Sequence, residues 1–224
     1  MACSAESVTE KGADLLPTLI IFDLDDCLWT PEMHELSDMP SKPIEGPLDP
    51  NNPSDSALGT IGMGVPKDNR GGWGSYSDGE EVVELYHGAR LALRELVTNP
   101  LYKNVQIGVA STSLEPSYSR ACIAGIEITE GVFLKDIISY DQIGRSGKLT
   151  SRKTSHFKLI HEESGVPFED MLFFDDCNWG DHVGDLNREF GVLGIRTPSG
   201  LQINEFHEGL ETFSRERRRD AVKV

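Results

Sequence analysis

Short apolar runs alternate with amphipathic segments from residue 18 onward, and this alternation constrains the fold more than any other feature of the sequence. The runs have the length and composition of buried strands, at residues 18–22, 105–110, 137–140, 171–174 and 191–195. The segments between and after them suit helices, at residues 84–99, 115–124, 154–164 and 202–217. Strands that alternate with helices form βαβ units. We therefore expect an α/β fold with a doubly wound (Rossmann-like), mostly parallel sheet flanked by helices.

Residues 31–80 interrupt this alternation. They are dense in Pro, Gly, Asn and Ser and have no sustained helical or strand period. We predict a long irregular insertion or flap after the first strand, and no folded cap domain. Residues 71–76 are a candidate mobile lid with Trp73 or Tyr76 facing a pocket. A surface loop unrelated to catalysis is the alternative.

The two ends of the chain differ in charge. Residues 1–17 contain no apolar run of signal-peptide length, and we expect a flexible leader before a single domain at 18–214. Residues 215–224 are expected to form a solvated helix end or basic tail, because four arginines cluster there: Arg215, Arg217, Arg218 and Arg219.

The chain carries a formal net charge of −16, from 37 acidic and 21 basic residues. This balance argues against nucleic acid or an anionic membrane as a partner, but not against a small anionic substrate in a local positive pocket. The four cysteines form no CxxC pair, and no segment approaches ~18 consecutive apolar residues. We expect a cytoplasmic monomer with reduced thiols.

Polar side chains follow three of the predicted strands. They are Asp23 with Asp25, Ser111 with Thr112, and Asp175 with Asp176. In a doubly wound sheet, functional groups collect at the carboxyl ends of the strands. The recurrence at three strand ends therefore predicts a common site.

The first acid pair has the spacing needed for two different roles. Residues two apart at a strand tip point to the same side, so the carboxylates of Asp23 and Asp25 would face one space. One can attack a phosphorus atom as a nucleophile, and the other can protonate the leaving oxygen and then activate water. A loop with acidic caps is the alternative.

The second acid pair has oxygen ligands that suit Mg²⁺. Asp175 beside Asp23 would give one shared metal site, and several carboxylates packed together need a cation to relieve their repulsion. The alternative is an N-cap for a helix after Asp176.

A hydroxyl and an ammonium complete the set. The Ser111 hydroxyl and nearby N–H groups could hold a phosphoryl oxygen, although serine after a strand is also ordinary turn chemistry. Lys153 stands just before a predicted helix and could neutralise phosphate and nucleophile, although most lysines are exposed. Lys148 is its rival.

Together, the acid pair, hydroxyl, lysine and second acid pair resemble, in order, the four motifs of the haloacid dehalogenase superfamily. Longer phrases resemble its magnesium-dependent phosphatase family, an acid phosphatase-like branch: IFDLDDCLW, KTSHF at 153–157, GVPFEDMLFFDD at 165–176 and GLETF at 209–213. The likeness covers the region from about residue 18 to residue 213, apart from residues 31–80.

This resemblance implies roles for the matching residues. Asp23 would be the nucleophile and a metal ligand, and Asp25 the general acid/base with its backbone carbonyl on the metal. Ser111 would bind the phosphoryl group. Lys153 would stabilise the charge near the nucleophile, and the KTSHF phrase favours it over its rival Lys148. Asp175 would ligate Mg²⁺ directly, and Asp176 through water.

Three positions depart from the family pattern. Asp26-Cys27 stands where the family usually has Tyr-Thr. Thr112 stands where it tends to have an arginine, which removes a likely substrate contact. The residues after Asp176 (Cys-Asn-Trp-Gly-Asp-His) do not match the family's charged ones.

The resemblance implies a magnesium-dependent phosphatase that acts on a small phosphorylated substrate or a phosphoprotein, with phosphotyrosine and a sugar phosphate both open. Phosphoryl transfer is an alternative on the same fold. Carbon–halogen cleavage is disfavoured because it needs neither Asp25 nor Asp175. A non-catalytic protein that binds a phosphorylated ligand is the third interpretation.

Cys27 and Cys177 each adjoin an active-site acid. We therefore also consider reversible oxidation of these thiols, with inert packing of both cysteines as the alternative.

Overall fold

The computed structural model describes residues 15–66 and 81–223, and side chains as far as residue 219. The strands are β1 (Leu19–Phe22), β2 (Trp29–Thr30), β3 (Lys42–Pro47), β4 (Leu58–Gly64), β5 (Val82–Leu85), β6 (Gln106–Ser111), β7 (Glu127–Thr129), β8 (Val132–Phe133), β9 (Ile138–Ile143), β10 (Met171–Asp175) and β11 (Leu193–Arg196). The α-helices are α1 (His87–Thr98), α2 (Pro116–Gly125), α3 (Leu134–Ile137), α4 (Lys153–Ser164), α5 (His182–Phe190) and α6 (Ile203–Lys223). Short 3-10 helices lie at Met33–Glu35, Pro100–Tyr102 and Phe168–Asp170.

The central sheet has five parallel strands in the order β11-β10-β1-β6-β9. The chain runs outward from β1 through β6 to β9, then crosses back to β10 and β11 on the other side. The winding direction reverses at β1, and ligands bind at such reversal points, beyond the carboxyl ends of the strands. The predicted doubly wound α/β fold is confirmed.

Strands β1 and β10 are apolar along their length because the sheet is covered on both faces. All residues of both strands are buried, as is usual in parallel sheets. Successive side chains alternate between the faces. Ile20 and Phe22 pack in the larger core with α1, α2 and α6, whereas Leu19 and Ile21 pack in the smaller core with α4 and α5.

The prediction that residues 31–80 form an irregular insertion is wrong for the part that the structure describes. Strands β3 and β4 lie in this segment and form an antiparallel sheet with β2 and β5, in the order β2-β5-β4-β3. The composition is misleading for a physical reason. A Cβ atom on Gly62 would lie 2.7 Å from the Val83 carbonyl oxygen, so glycine permits the close approach of two strands. Pro43 and Pro47 lie on β3, at the edge of the sheet, where proline is tolerated.

This second sheet does not pack as a separate cap domain in the described part of the chain. Trp29, Met63, Val65 and Val83 belong to the larger core together with residues of the central sheet. The two sheets thus share one core. The candidate lid at residues 71–76 lies outside the described residues, as do residues 1–14 of the expected leader.

Two helix boundaries differ from those predicted. Helix α1 begins at His87 rather than at residue 84, because Glu84 pairs with Thr30 and Gly62 in the second sheet. Helix α6 continues to Lys223, so the C-terminal arginines lie on a helix and not in a tail. Arg217 forms an ion pair with Asp170 at 2.6 Å, which helps to hold this end of the helix against the domain.

Within the described residues, no helix is both long and apolar enough to cross a membrane.

Candidate active site

A tight turn after β1 presents the first acid pair. The Asp23 N–H donates to the Phe174 carbonyl at 2.9 Å, and the Leu24 carbonyl accepts from the N–H groups of Cys27, Leu28 and Trp29. The turn requires Asp26 to adopt a left-handed conformation (φ 56°), which aspartate tolerates better than most residues.

The side chains of the first acid pair differ in their partners. Asp25 accepts a hydrogen bond of 2.8 Å from the Trp29 indole N–H. Asp23 is paired with the ammonium of Lys153. One carboxylate is therefore oriented by a neutral donor and the other by a positive charge, consistent with two separate roles.

Three buried carboxylates meet at the carboxyl ends of β1 and β10. One oxygen each of Asp23, Asp175 and Asp176 lies within 4.8 Å of the other two. Asp175 Oδ1 accepts from the Cys177 N–H at 2.7 Å, whereas Asp175 Oδ2 is buried with no hydrogen-bond partner among residues 15–66 and 81–223 and with Lys153 Nζ 3.4 Å away. Such an oxygen is costly to bury, and a divalent cation would satisfy it and relieve the repulsion among the carboxylates. The donor set, all hard oxygens, fits Mg²⁺.

The alternative role for the second acid pair, as a helix N-cap, is filled by another residue. Asp181 caps α5 by accepting from the Gly184 N–H at 3.0 Å. Asp176 Oδ2 accepts from the Asn178 N–H at 2.7 Å, which holds it in the loop before the helix. Asp175 and Asp176 thus face the cluster and do not start the helix.

Lys153, the first residue of α4, is the buried cation of this site. Its side chain is 1% exposed, pairs with Asp23, lies 3.4 Å from Asp175 Oδ2 and donates to the Ala110 carbonyl at 2.5 Å. The rival Lys148 has a side chain that is 79% exposed and lies 4.0 Å from Glu162. The structure brings Lys153 and not Lys148 to the acid cluster.

The ionisation of the cluster reflects burial and mutual charge. Burial raises the pKa of Asp23 well above its ordinary value, although Lys153 opposes this, and burial also raises the pKa values of Asp25 and Asp176. Burial would lower the pKa of Lys153, but the carboxylates of Asp23 and Asp175 outweigh it and raise that pKa. The neighbouring carboxylates thus favour the charged form of Lys153, and burial favours the protonated form of Asp25.

Ser111 lies at the end of β6 and is fixed from two sides. Its carbonyl accepts from the Gly144 N–H at 2.8 Å and lies 3.0 Å from His156 Nε2. The same ring nitrogen lies 3.0 Å from the Gly144 carbonyl, so both neighbours are acceptors and Nε2 carries the proton. Burial, with a further contribution from Lys153, lowers the pKa of His156 to about 4. His156, the histidine of KTSHF, thus joins α4 to Ser111, a role that the sequence did not reveal.

A cavity of about 190 Å³ opens over these groups. Of the predicted residues, it is lined by Asp23, Asp25, Ser111, Thr112 and Asp176. Residues that the sequence did not single out complete the lining: Glu32, His34, Ser113, Leu114, Arg145 and Trp179. Lys153 and Asp175 lie beneath it, fully buried.

Two loops meet at the mouth of this cavity. Trp179, in the loop after β10, donates from Nε1 to Glu32 at 2.9 Å, and His34 Nδ1 lies 3.0 Å from the other oxygen of Glu32. The Trp179 side chain remains 74% exposed. In the sequence, the only sign of these residues at the cavity mouth is the tryptophan shortly after Asp176. It lies within the segment that departs from the family pattern.

Arg145 supplies a cation where Thr112 replaces the family arginine. It lies just after β9, and its Nε donates to the Thr112 carbonyl at 2.8 Å. Thr112 is predicted to remove a basic substrate contact. The pocket nevertheless keeps a positive charge, because Arg145 reaches it from the end of another strand.

Neither cysteine beside the acids has the environment of a reactive thiol. Cys27 is buried, and burial, followed by the Asp23 charge, raises its pKa well above the ordinary value. Burial raises the pKa of Cys177 to about 12. Both thiols are free. Raised pKa values favour inert packing over the redox hypothesis.

Comparison with known proteins gives three kinds of similarity. A family model described as Acid Phosphatase matches residues 15–216. The human "Magnesium-dependent phosphatase 1" is 33% identical over 63 residues, which are 28% of this chain and 34% of that protein, so the match spans about a third of the relative. A "HAD-like hydrolase superfamily protein" of Schizosaccharomyces pombe is 27% identical over 191 residues, 85% of this chain and 90% of that protein.

Among solved structures, the N-terminal part of a Bacteroides fragilis protein, described as containing a phosphatase domain complexed with Mg, superposes with a TM-score of 0.50. It is 14% identical and covers 93% of this chain and 43% of that chain. At this identity the similarity supports the fold alone.

Proposed function

The chain belongs to the acid phosphatase family of the haloacid dehalogenase superfamily, and we propose that it is a magnesium-dependent phosphatase that hydrolyses a phosphomonoester through an aspartyl-phosphate on Asp23. The observation that carries the proposal is the buried Lys153, which pairs with Asp23 and faces Asp175 inside a cluster of three carboxylates. A structural ion pair needs one carboxylate. Three carboxylates around one ammonium, with Asp175 Oδ2 held only by Lys153 at 3.4 Å and by no hydrogen bond among the described residues, indicate a site that also takes a metal cation.

Asp23, Asp175 and Asp176 would hold Mg²⁺, together with the backbone carbonyl of Asp25 that the family resemblance implies. When bound, the ion supplies positive charge that offsets the negative charge of the phosphoryl group.

Asp23 is the nucleophile of the first step. Its burial disfavours the carboxylate form, and the Lys153 ammonium counters this by favouring the charged form. An Asp23 carboxylate oxygen attacks phosphorus, the bond from phosphorus to the leaving oxygen breaks, and Asp25 gives its proton to that oxygen. Burial that raises the pKa of Asp25 favours the protonated state needed here.

The second step returns the enzyme to its starting state. The Asp25 carboxylate takes a proton from water, whose oxygen attacks phosphorus, and the bond to Asp23 breaks to release inorganic phosphate. The Trp29 hydrogen bond keeps Asp25 in place for both proton transfers.

Ser111 is proposed to bind the transferred phosphoryl group. It lines the cavity beside Asp23, and its backbone is fixed by His156 and Gly144. A hydroxyl held in place loses little freedom when it binds a phosphoryl oxygen, so the donor is preorganised.

The leaving group would lie against the mouth of the cavity. Leu114 and Trp179 are 58% and 74% exposed and supply apolar surface there, next to His34. Exposed apolar side chains at a cavity mouth favour an aromatic leaving group, as in phosphotyrosine, over a sugar phosphate.

Hydrolysis of p-nitrophenyl phosphate with and without Mg²⁺ tests the proposal. We expect turnover that requires Mg²⁺ and falls by at least about 10³-fold in Asp23→Asn. The matched control is Asp141→Asn, whose side chain pairs with Arg120 outside the cavity, and which should retain turnover. Equal turnover in Asp23→Asn and the wild type would contradict the nucleophile. Phosphate binding without turnover on any phosphomonoester would favour the non-catalytic alternative.

A further inference from the structure

A second cavity adjoins the reaction pocket. It has a volume of about 340 Å³ and is lined by Thr112, Arg145, Ser151, Arg152, Trp179, Gly180, His182 and Asp185. Three of these residues, Thr112, Arg145 and Trp179, also line the pocket over Asp23. The two spaces therefore meet at these residues, and a molecule whose phosphoryl group lies in the first can extend into the second.

Arg145 is placed to bind an anion at this junction. Within the described residues, no carboxylate lies within ion-pair distance of its guanidinium, whereas the nearby Arg152 pairs with Asp185 at 3.8 Å. The single bond from Nε to the Thr112 carbonyl orients the side chain and leaves both terminal NH₂ groups to bind a ligand. In a chain of net charge −16, an arginine without a carboxylate partner beside an acidic site needs an explanation.

The transferred phosphoryl group does not require Arg145. Lys153 pairs with Asp23, Ser111 lines the same cavity, and the three carboxylates provide the place for a cation. Arg145 lines both cavities, so its guanidinium can reach a group that extends from the first cavity into the second.

We propose, on the basis of the phosphatase function above, that the physiological substrate carries a second anionic group on its leaving-group side, a carboxylate or another phosphate, and that the Arg145 guanidinium binds it. A planar guanidinium forms two parallel hydrogen bonds to either group, which gives direction as well as charge. The inference concerns the substrate class. The second anion selects the substrate, while Asp23, Asp25 and Lys153 act on its phosphoryl group.

Calorimetric titration with non-hydrolysable probes tests this without turnover. The full-length protein in Mg²⁺ is titrated with benzylphosphonate, 4-carboxybenzylphosphonate and a xylylene bisphosphonate, which differ only in the second group. We expect the wild type to bind the two doubly anionic probes at least about tenfold more tightly than benzylphosphonate, the size of effect that one charge-assisted bidentate contact gives. Arg145→Gln should abolish this preference and leave benzylphosphonate affinity unchanged within about twofold. Arg145→Lys should keep part of it. Arg120→Gln, a surface arginine paired with Asp141, should keep all of it.

The outcomes separate this inference from the proposed function. Failure of all three probes to bind the wild type would overturn the phosphoryl site itself, and the inference with it. Equal binding of the three probes, or an equal loss of affinity for all of them in Arg145→Gln, would overturn the second-anion inference alone. In the latter case Arg145 would serve the transferred phosphoryl group.

Discussion

His156 Nε2 lies 3.0 Å from the carbonyl oxygen of Ser111, and this contact ties helix α4 to the end of strand β6 at the level of the active site. Lys153 lies one turn earlier on the same helix. Ser111 and the buried Lys153 are thus set relative to each other by a buried histidine that does not line the cavity.

The first prediction concerns the pH dependence of stability. Because burial lowers the pKa of His156 to about 4 from an ordinary value near 6.5, the unfolded chain binds the proton more readily. The contribution of neutral His156 to the free energy of unfolding should therefore be complete above about pH 6.5. It should fall by up to about 3 kcal/mol as the pH drops toward 4. Urea unfolding at several pH values measures it. His156→Gln should flatten this region of the curve. Parallel curves for His156→Gln and the wild type would contradict the prediction.

The second prediction concerns Lys153. Lys153→Met removes the cation beside Asp23, and we expect kcat to fall by about 10²- to 10³-fold. The metal-free variant should also be less stable by about 3–5 kcal/mol, because it leaves buried carboxylates unpaired. Lys148→Met changes an exposed lysine nearby in sequence and serves as the control for both measurements. A Lys153→Met enzyme with wild-type kcat would refute the assignment.

The third prediction separates Asp25 from Asp23 by the leaving group. In the proposed mechanism Asp25 donates a proton to the leaving oxygen. Asp25→Asn should therefore slow the hydrolysis of phenyl phosphate more than that of p-nitrophenyl phosphate, whose leaving group needs less help from an acid. Burial raises the pKa of Asp25, so the wild-type rate on phenyl phosphate should decline as the pH rises through that pKa. Initial rates across pH for both esters measure this. The same loss on both esters in Asp25→Asn would argue against an acid role.

The fourth prediction concerns the metal. Mg²⁺ should raise the melting temperature of the wild type. At a Mg²⁺ concentration 100 times the dissociation constant, binding adds about 2.7 kcal/mol to the free energy of unfolding. Asp175→Asn removes one carboxylate of the proposed metal site and should largely abolish this shift. Asp141→Asn should preserve it. Thermal scans with and without Mg²⁺ decide the matter, and a full shift in Asp175→Asn would place the ion elsewhere.

The fifth prediction concerns the apolar wall. Trp179→Ala should raise KM for an aryl phosphate by about tenfold and change KM for a small alkyl phosphate little, because only the aryl group stacks on the indole. Leu58→Ala, an exposed apolar residue outside the cavity, is the control. An equal effect of Trp179→Ala on both esters would contradict an aromatic leaving group.

Much of the fold could be predicted because parallel strands leave a strong local signal. Strands β1 and β10 are continuous apolar runs that end in acids, and this pattern located both Asp23 and Asp175. Strands β3 and β4 could not be predicted in the same way. Their prolines and glycines have the composition of a loop. The edge position of β3 explains the prolines, and the close approach of Gly62 to Val83 explains one of the glycines.

The sequence by itself determined the central sheet and the order of the acids, the serine and the lysine, since each lies at the end of a buried element or at its start. Only the tertiary structure decided which side chains form the walls of the pocket. Glu32, Arg145 and Trp179 come from loops with no periodic pattern, and Glu32 and Trp179 are 147 positions apart in the chain. Local apolar patterns specify where a strand is buried, but contacts between distant loops depend on how the sheet and its helices pack. No local pattern therefore encodes them.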